Sequence, residues 1–253
     1  MDKKDLQNPA LYTNRELSWL LFNKRVLSEA RDKQLLLFER LKFLSITASN
    51  LDEFFMVRIG SLVDMIHAEY TKKDIAGMSA KEQLDALMEE THKFAALQYS
   101  TYNRMLLPQL RANGLNFVEH HEQLTERQAQ YVDEYFEENV YPVLTPMAVD
   151  SSRPFPLIRN KTLNIGALVA KKGEKDTEIE FATVQVPSVL PRVVRIPAAK
   201  EGDTEVAVLL LEEIIERNIS KLFLNYNVLC AHPFRITRNA DLAIDEDEAE
   251  DLL

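Results

Sequence analysis

The apolar period of this 253-residue chain changes once, and that change restricts the fold more than any single motif. Up to about residue 140 apolar residues recur at helical spacing. In "YTNRELSWLLFNKRVLSEA" (12–30), Leu17, Leu20, Leu21, Val26 and Leu27 follow a helical stripe. Thr13, with Glu16 three residues later, reads as a capping box. A second helix is predicted through "LLFERLKFLSITA" (36–48), and a third after Asn50. A long fourth begins at Ser79, boxed by Glu82, and runs toward Gly114 as C-cap. "LTERQAQYVDEYFEENV" (124–140) repeats the start signal with Thr125 and Gln128. Then "YPVLTPMAVDSSRPFP" (141–156) places four prolines close together, which ends the helices in a structured connection.

Beyond it the period falls to two. "TLNIGALVA", "EIEFATVQV" and "RVVRIP" are β-branched strand segments, and "KKGEKDTE" is a hairpin signal between the first two. "EVAVLLLEEIIERNISKLF" begins as a strand and continues as a helix, and "YNVLCAHPFRITR" reads as strand again. The expected fold class is therefore α+β and multidomain. An all-helical antiparallel domain over 1–112 precedes a mixed α/β domain over 113–253.

Charge and cysteine content narrow the setting. The net charge of −10 is uneven, because residues 241–253, "DLAIDEDEAEDLL", hold seven acids and no base. Residues 1–50 carry an excess of Lys and Arg, but no single basic stripe announces nucleic acid. One cysteine, Cys230, allows no internal disulfide and fits a reducing compartment. No apolar run reaches membrane-span length and the N-terminus shows no apolar signal core, so the expectation is a cytoplasmic protein. Peripheral association with a membrane stays open.

Familiar catalytic motifs are absent. Neither phosphate-binding glycine loop occurs. His67, His92, His120, His121 and His232 have no partner at zinc spacing, so no metal ligand and no catalytic residue is assigned from the sequence. His120 and His121 read as solvated loop residues, His67 and His92 as surface or boundary residues of helices, and Cys230 as a small buried hydrophobe.

Four stretches then carry a resemblance: "NRELSWLLFNKRVLSEARD" (14–32), "FERLKFLSITASNLDEFFMVRIGSL" (38–62), "YPVLTPMAVDSSRPFP" (141–156) and "FRITRNADLAIDEDEAEDLL" (234–253). In order, and over nearly the whole chain, they resemble the amino-terminal part of the type 1 polyphosphate kinases. The resemblance implies a helical amino-terminal domain and most of a "head" domain. It implies reversible transfer of the terminal phosphate of ATP to inorganic polyphosphate, with ATP/ADP and polyphosphate as partners and a homo-oligomeric assembly. It further implies that the phosphorylated histidine and the residues holding Mg²⁺ belong to carboxy-terminal domains outside this chain. On that reading the 253 residues alone do not turn over. The alternative is a non-catalytic interaction or self-association module.

By the same resemblance Asn50 contacts the ATP base. A carboxamide offers donors and an acceptor and so matches an adenine edge. Read from the residues alone, Asn50 is a helix N-cap with Glu53 completing the box; the two roles are compatible. Asp52 and Glu53 then serve the first-turn dipole. Trp19, Phe22, Phe43, Phe54 and Phe55 read as helix–helix core. Arg58, two turns beyond Asn50, reads as the partner of a helical acid, with a phosphate ligand facing the same cleft as the alternative, and Arg15, Lys24, Arg25, Arg40 and Lys42 read as a solvated face or a positive field toward a polyanion. The acidic ending reads either as the first turn of a helix or as a solvated tail.

Overall fold

The computed structural model of the chain describes residues 7–149, 157–173 and 179–239. They form two compact units, one of the residues up to Gln109 with those from Thr237 onward, the other Leu110–Ile236. Helices come first and mixed α/β structure follows, as the change of period predicts.

The first unit holds α1 (Arg15–Arg31), α2 (Leu37–Phe54), α3 (Gly60–His67) and α4 (Ala80–Thr101). Helix α1 packs along α2 and α4, and α3 packs on α4. Leu20, Phe54, Ile59, Leu62 and Leu87 form one core, and Leu27, Ala30 and Phe94 a second. Complete burial of side chains such as Leu27 and Leu87 is worth roughly 1.5–3 kcal/mol each. Trp19 stacks on Phe54 with centroids 4.5 Å apart, and Phe55 meets Phe54 edge-on. Phe43 also packs on the core, but Phe22 does not: it is 49% exposed.

Two expected helix starts are corrected. Asn14, not Thr13, caps α1, its carboxamide oxygen accepting from the Glu16 and Leu17 N–H groups. No helix begins after Asn50; α2 runs through it. Asn50 is therefore not an N-cap, and Asp52 and Glu53 sit in the last turn of α2 rather than in a first turn. A polar Ser-Asn pair reads as a break, but a helix tolerates it where the side chain finds a tertiary partner. Helix α2 instead widens into a π turn, Phe55–Ile59, where the Gly60 N–H reaches the Phe55 carbonyl, and continues as α3. A Cβ on Gly60 would lie 2.7 Å from the Asn239 side chain, which donates to Asp64 at 3.1 Å.

Prolines explain two further π turns. Helix α4 passes through Tyr102–Leu106 into α5 (Leu107–Ala112), which contains Pro108; α6 (Glu126–Tyr135) widens at Phe136–Val140, just before Pro142. A proline lacks the N–H of a regular turn and its ring crowds the carbonyl four residues back. A π turn directly upstream absorbs the misfit. The capping boxes Ser79/Glu82 and Thr125/Gln128 open α4 and α6 as expected, and Gly114 adopts φ +78° just past α5.

The second unit contains two sheets. Strands β1 (Leu115–Val118), β5 (Val193–Ile196) and β6 (Val206–Leu210) form one, in the order β1-β6-β5, with β1 parallel to β6. Strands β2 (Pro146–Val149), β3 (Leu163–Lys171), β4 (Ile179–Gln185) and β7 (Tyr226–Arg235) form an antiparallel sheet in the order β2-β4-β3-β7. Helix α7 (Leu211–Asn218) follows β6 without a loop. Val132, Phe136 and Val140 join Ile165, Val169, Val184, Ile214 and Ile215 in one core.

Strands β1 and β2 are not legible in the sequence: each is four residues long, and β2 lies inside the proline-rich connection. Cys230 corrects another expectation, being exposed. The β3–β7 register shifts between Leu168 and Val169, so β7 carries an extra residue and Leu229 and Cys230 both face outward. Part of the connection (150–156), the hairpin tip (174–178) and the acidic ending (240–253) lie outside the described residues.

Candidate functional site

Asn50 projects from α2 beside α1, where the facing residue is Asn23, 0% exposed. Burying an amide without partners is costly, and both polar groups of Asn23 are engaged. Its Nδ2 donates to the Thr47 carbonyl at 3.1 Å, and its Oδ1 accepts from Asn50 Nδ2 at 3.0 Å. The direction of this chain is fixed chemically. A backbone carbonyl can only accept, so Asn23 must turn its NH₂ to Thr47 and its oxygen to Asn50. Asn50 then gives an N–H to Asn23, and its carboxamide oxygen and second N–H stay outside the pair. Thr47 extends the network: its hydroxyl donates to Leu44 O at 2.7 Å and accepts from Gln98 Nε2 on α4 at 2.9 Å. Three helices thus hold one half-buried carboxamide.

A cation-rich cavity of about 360 Å³ lies in the same unit, lined by Asn14, Arg15, Glu16, Arg58, Lys72 and Lys73 among others, but not by Asn50. Arg58 reaches the buried Glu16 at 3.8 Å, the helical acid it was expected to find, and Arg15 pairs with the same carboxylate at 2.5 Å. Asn14 completes the wall, donating to Asp74 at 2.7 Å and Gln83 at 2.8 Å. Arg40 does not belong to any positive surface: it is 2% exposed, its Nε on the Ala30 carbonyl at 3.0 Å and its Nη1 on Gln109 at 2.9 Å. Lys42 pairs with Glu39 at 2.8 Å on an exposed face.

The five histidines lie apart from this network. His67 and His92 are exposed on α3 and α4, as expected. The other three gather on α7. The His121 N–H donates to Glu213 Oε2 at 3.0 Å, and its Nδ1 lies 3.2 Å from the same oxygen. His120 Nδ1 is 3.9 Å from Glu213 Oε1, His121 Nε2 is 3.6 Å from Glu122, and His232 Nδ1 is 3.3 Å from Glu216. Burial first, and then the neighbouring Glu213, hold the Glu216 carboxyl above its ordinary value. The solvated reading holds for His120, with 66% of its side chain exposed. It fails for His121, at 18%. Sequence reasoning could not find this cluster, because Glu213 stands 92 positions from His121.

Comparison with known proteins sets these sites in a family. Residues 12–118 match the model of the polyphosphate kinase N-terminal domain, and residues 127–253 that of the polyphosphate kinase middle domain. A polyphosphate kinase of Halalkalibacterium halodurans is 48% identical over 250 residues, which is 98% of this chain and 35% of that protein. One of Lactiplantibacillus plantarum is 48% identical over 242 residues, 96% of this chain and 33% of that protein. The crystal structure of the polyphosphate kinase of Porphyromonas gingivalis matches with a TM-score of 0.79 at 31% identity, over 92% of this chain and 34% of that one. The chain thus spans about a third of the length of the relatives it matches.

Proposed function

Because the chain belongs to the polyphosphate kinase family, we propose that its helical domain, residues 1–112, presents Asn50 to the base of ATP. The head-domain part is residues 113–253. In this reading the whole protein moves the terminal phosphate of ATP reversibly onto polyphosphate, through a histidine that is none of the five present here.

One observation supports the assignment above others. Asn50 is held by Asn23 at 3.0 Å, and what it still offers, a carbonyl oxygen and an N–H, is the pair that reads an adenine edge. A neutral carboxamide suits a neutral base. The phosphates need cations, and Arg15, Arg58, Lys72 and Lys73 line a separate cavity of the same unit, the first two already paired with Glu16. Mg²⁺ does not fit the donors that the described residues bring together. Among the described residues, the close donor group that could hold an ion is His120, Glu122 and Glu213, and an imidazole is a poor ligand for so hard an ion. No step here is routed through it.

A second reading, self-association, draws on a different observation. Helices α1 and α2 and the turn between them leave Leu21, Phe22, Leu36, Phe38 and Ile46 at least 46% exposed, apolar surface of the kind an oligomer covers.

Equilibrium binding of ATP and GTP to the whole protein tests the first reading. Asn50→Ala is expected to weaken ATP binding by about 1–2 kcal/mol, roughly 5- to 30-fold, and to narrow the preference for ATP over GTP. Unchanged ATP affinity in that variant would defeat the assignment.

A further inference from the structure

We propose that His120, Glu122 and Glu213 form a binding site for a divalent transition-metal ion of the zinc class. One donor atom from each lies within 4.8 Å of the others. Zinc–nitrogen and zinc–oxygen bonds of about 2.0–2.2 Å at the tetrahedral angle put the donors of one ion roughly 3.3–3.6 Å apart. The gap of 3.9 Å between His120 Nδ1 and Glu213 Oε1 exceeds that range by roughly 0.3 Å, which a small rotation of the exposed His120 side chain closes. Glu122, with 72% of its side chain exposed, can close the remainder by rotation.

Glu213 is the fixed member. Its Oε2 receives the backbone N–H of His121 and faces the His121 ring, at 3.0 and 3.2 Å. Its Oε1 is thereby turned toward His120. Donors that anchor one oxygen of a carboxylate and aim the other are what ligating carboxylates ordinarily have around them. His121 is thus a positioning residue, not a ligand. Its second nitrogen is 3.6 Å from Glu122, so both carboxylates face one ring.

The donor chemistry selects the ion. One imidazole with two carboxylates suits Zn²⁺, Co²⁺ or Ni²⁺, whereas Mg²⁺ and Ca²⁺ prefer oxygen-only shells. Three protein ligands leave a position for water. The ion would clamp the 3₁₀ turn His121–Gln123 onto α7, two elements the chain joins only through tertiary structure. This site is independent of the Asn50 reading, since none of its residues belongs to the helical unit.

Untagged protein stripped with EDTA and titrated with Co²⁺ and then Zn²⁺ tests the proposal. One Co²⁺ per chain is expected, with visible ligand-field bands that Zn²⁺ abolishes, and a melting temperature raised by Zn²⁺ but not by equal Mg²⁺. His120→Ala and Glu122→Gln, both at exposed positions, should each weaken binding at least roughly tenfold. His67→Ala, on α3, should leave it unchanged. No saturable Co²⁺ spectrum, or equal affinity in the His120→Ala and Glu122→Gln variants, would overturn the site and leave an ordinary ion-pair cluster.

Discussion

The Asn23–Asn50 pair makes a prediction that a helix cap would not. Asn50→Ala removes the donor and leaves Asn23 Oδ1 buried, in a residue with 0% exposure, with no partner. Orphaning a buried acceptor costs about 1–3 kcal/mol. Asn23→Ala instead removes the buried amide and leaves a small void, while the half-exposed Asn50 can turn to water; about 1–2 kcal/mol is expected. The double variant has no orphan oxygen. Its cost should fall short of the sum of the singles by about 0.5–1 kcal/mol. Urea unfolding of the three variants and the parent, followed by far-UV circular dichroism, measures each term as a shift in midpoint at constant slope. Asn50→Asp sharpens the point. An N-cap tolerates Asp as well as Asn. Here a carboxylate would face the Asn23 oxygen and force that amide to abandon Thr47, so Asp should be no better than Ala. Additive single-variant costs, within about 0.3 kcal/mol, together with a fully stable Asn50→Asp protein, would refute the network.

Two other perturbations follow from packing and charge. Gly166→Ala in β3 would place a Cβ 3.0 Å from the Phe181 ring and 3.2 Å from the Phe234 ring; overpacking of this kind costs about 1–3 kcal/mol, and a parent-like melting temperature would show that the rings yield freely. The Arg217 hydrogen bond holds the Asp133 carboxyl below its ordinary value. A depressed folded value means that this pair stabilises the fold above the unfolded carboxyl's titration range, and that the contribution is lost as pH falls through the folded value. With 37% of the Asp133 side chain exposed, the effect should stay below about 1 kcal/mol, and stability measured from pH 7 down to pH 3 should fall less steeply in Asp133→Asn than in the parent.

Local rules account for much of what the sequence made legible. The capping boxes at Ser79 and Thr125 were readable because every participating residue lies within three positions. Strand β6 and helix α7 were readable from the change of period inside one apolar run. Asn50 was conspicuous only through its motif, and its local reading as a cap was wrong. Ser49 and Asn50 look like a helix start because small polar side chains compete for nearby backbone groups, and that competition vanishes once Asn23 supplies a partner 27 positions away.

The sequence by itself therefore determined the two-part architecture, its helix starts at Ser79 and Thr125, and the family. These rest on periodicity, caps and fixed motif residues, which are properties of neighbours along the chain. Tertiary structure alone decided that α2 continues through Asn50, that Arg40 is buried on the Ala30 carbonyl, that a bulge turns Cys230 outward, and that His120, Glu122 and Glu213 meet. Each depends on a partner from a distant segment or on a register shift between paired strands. A side chain's environment is set by what packs against it, and that is not written in the residues beside it.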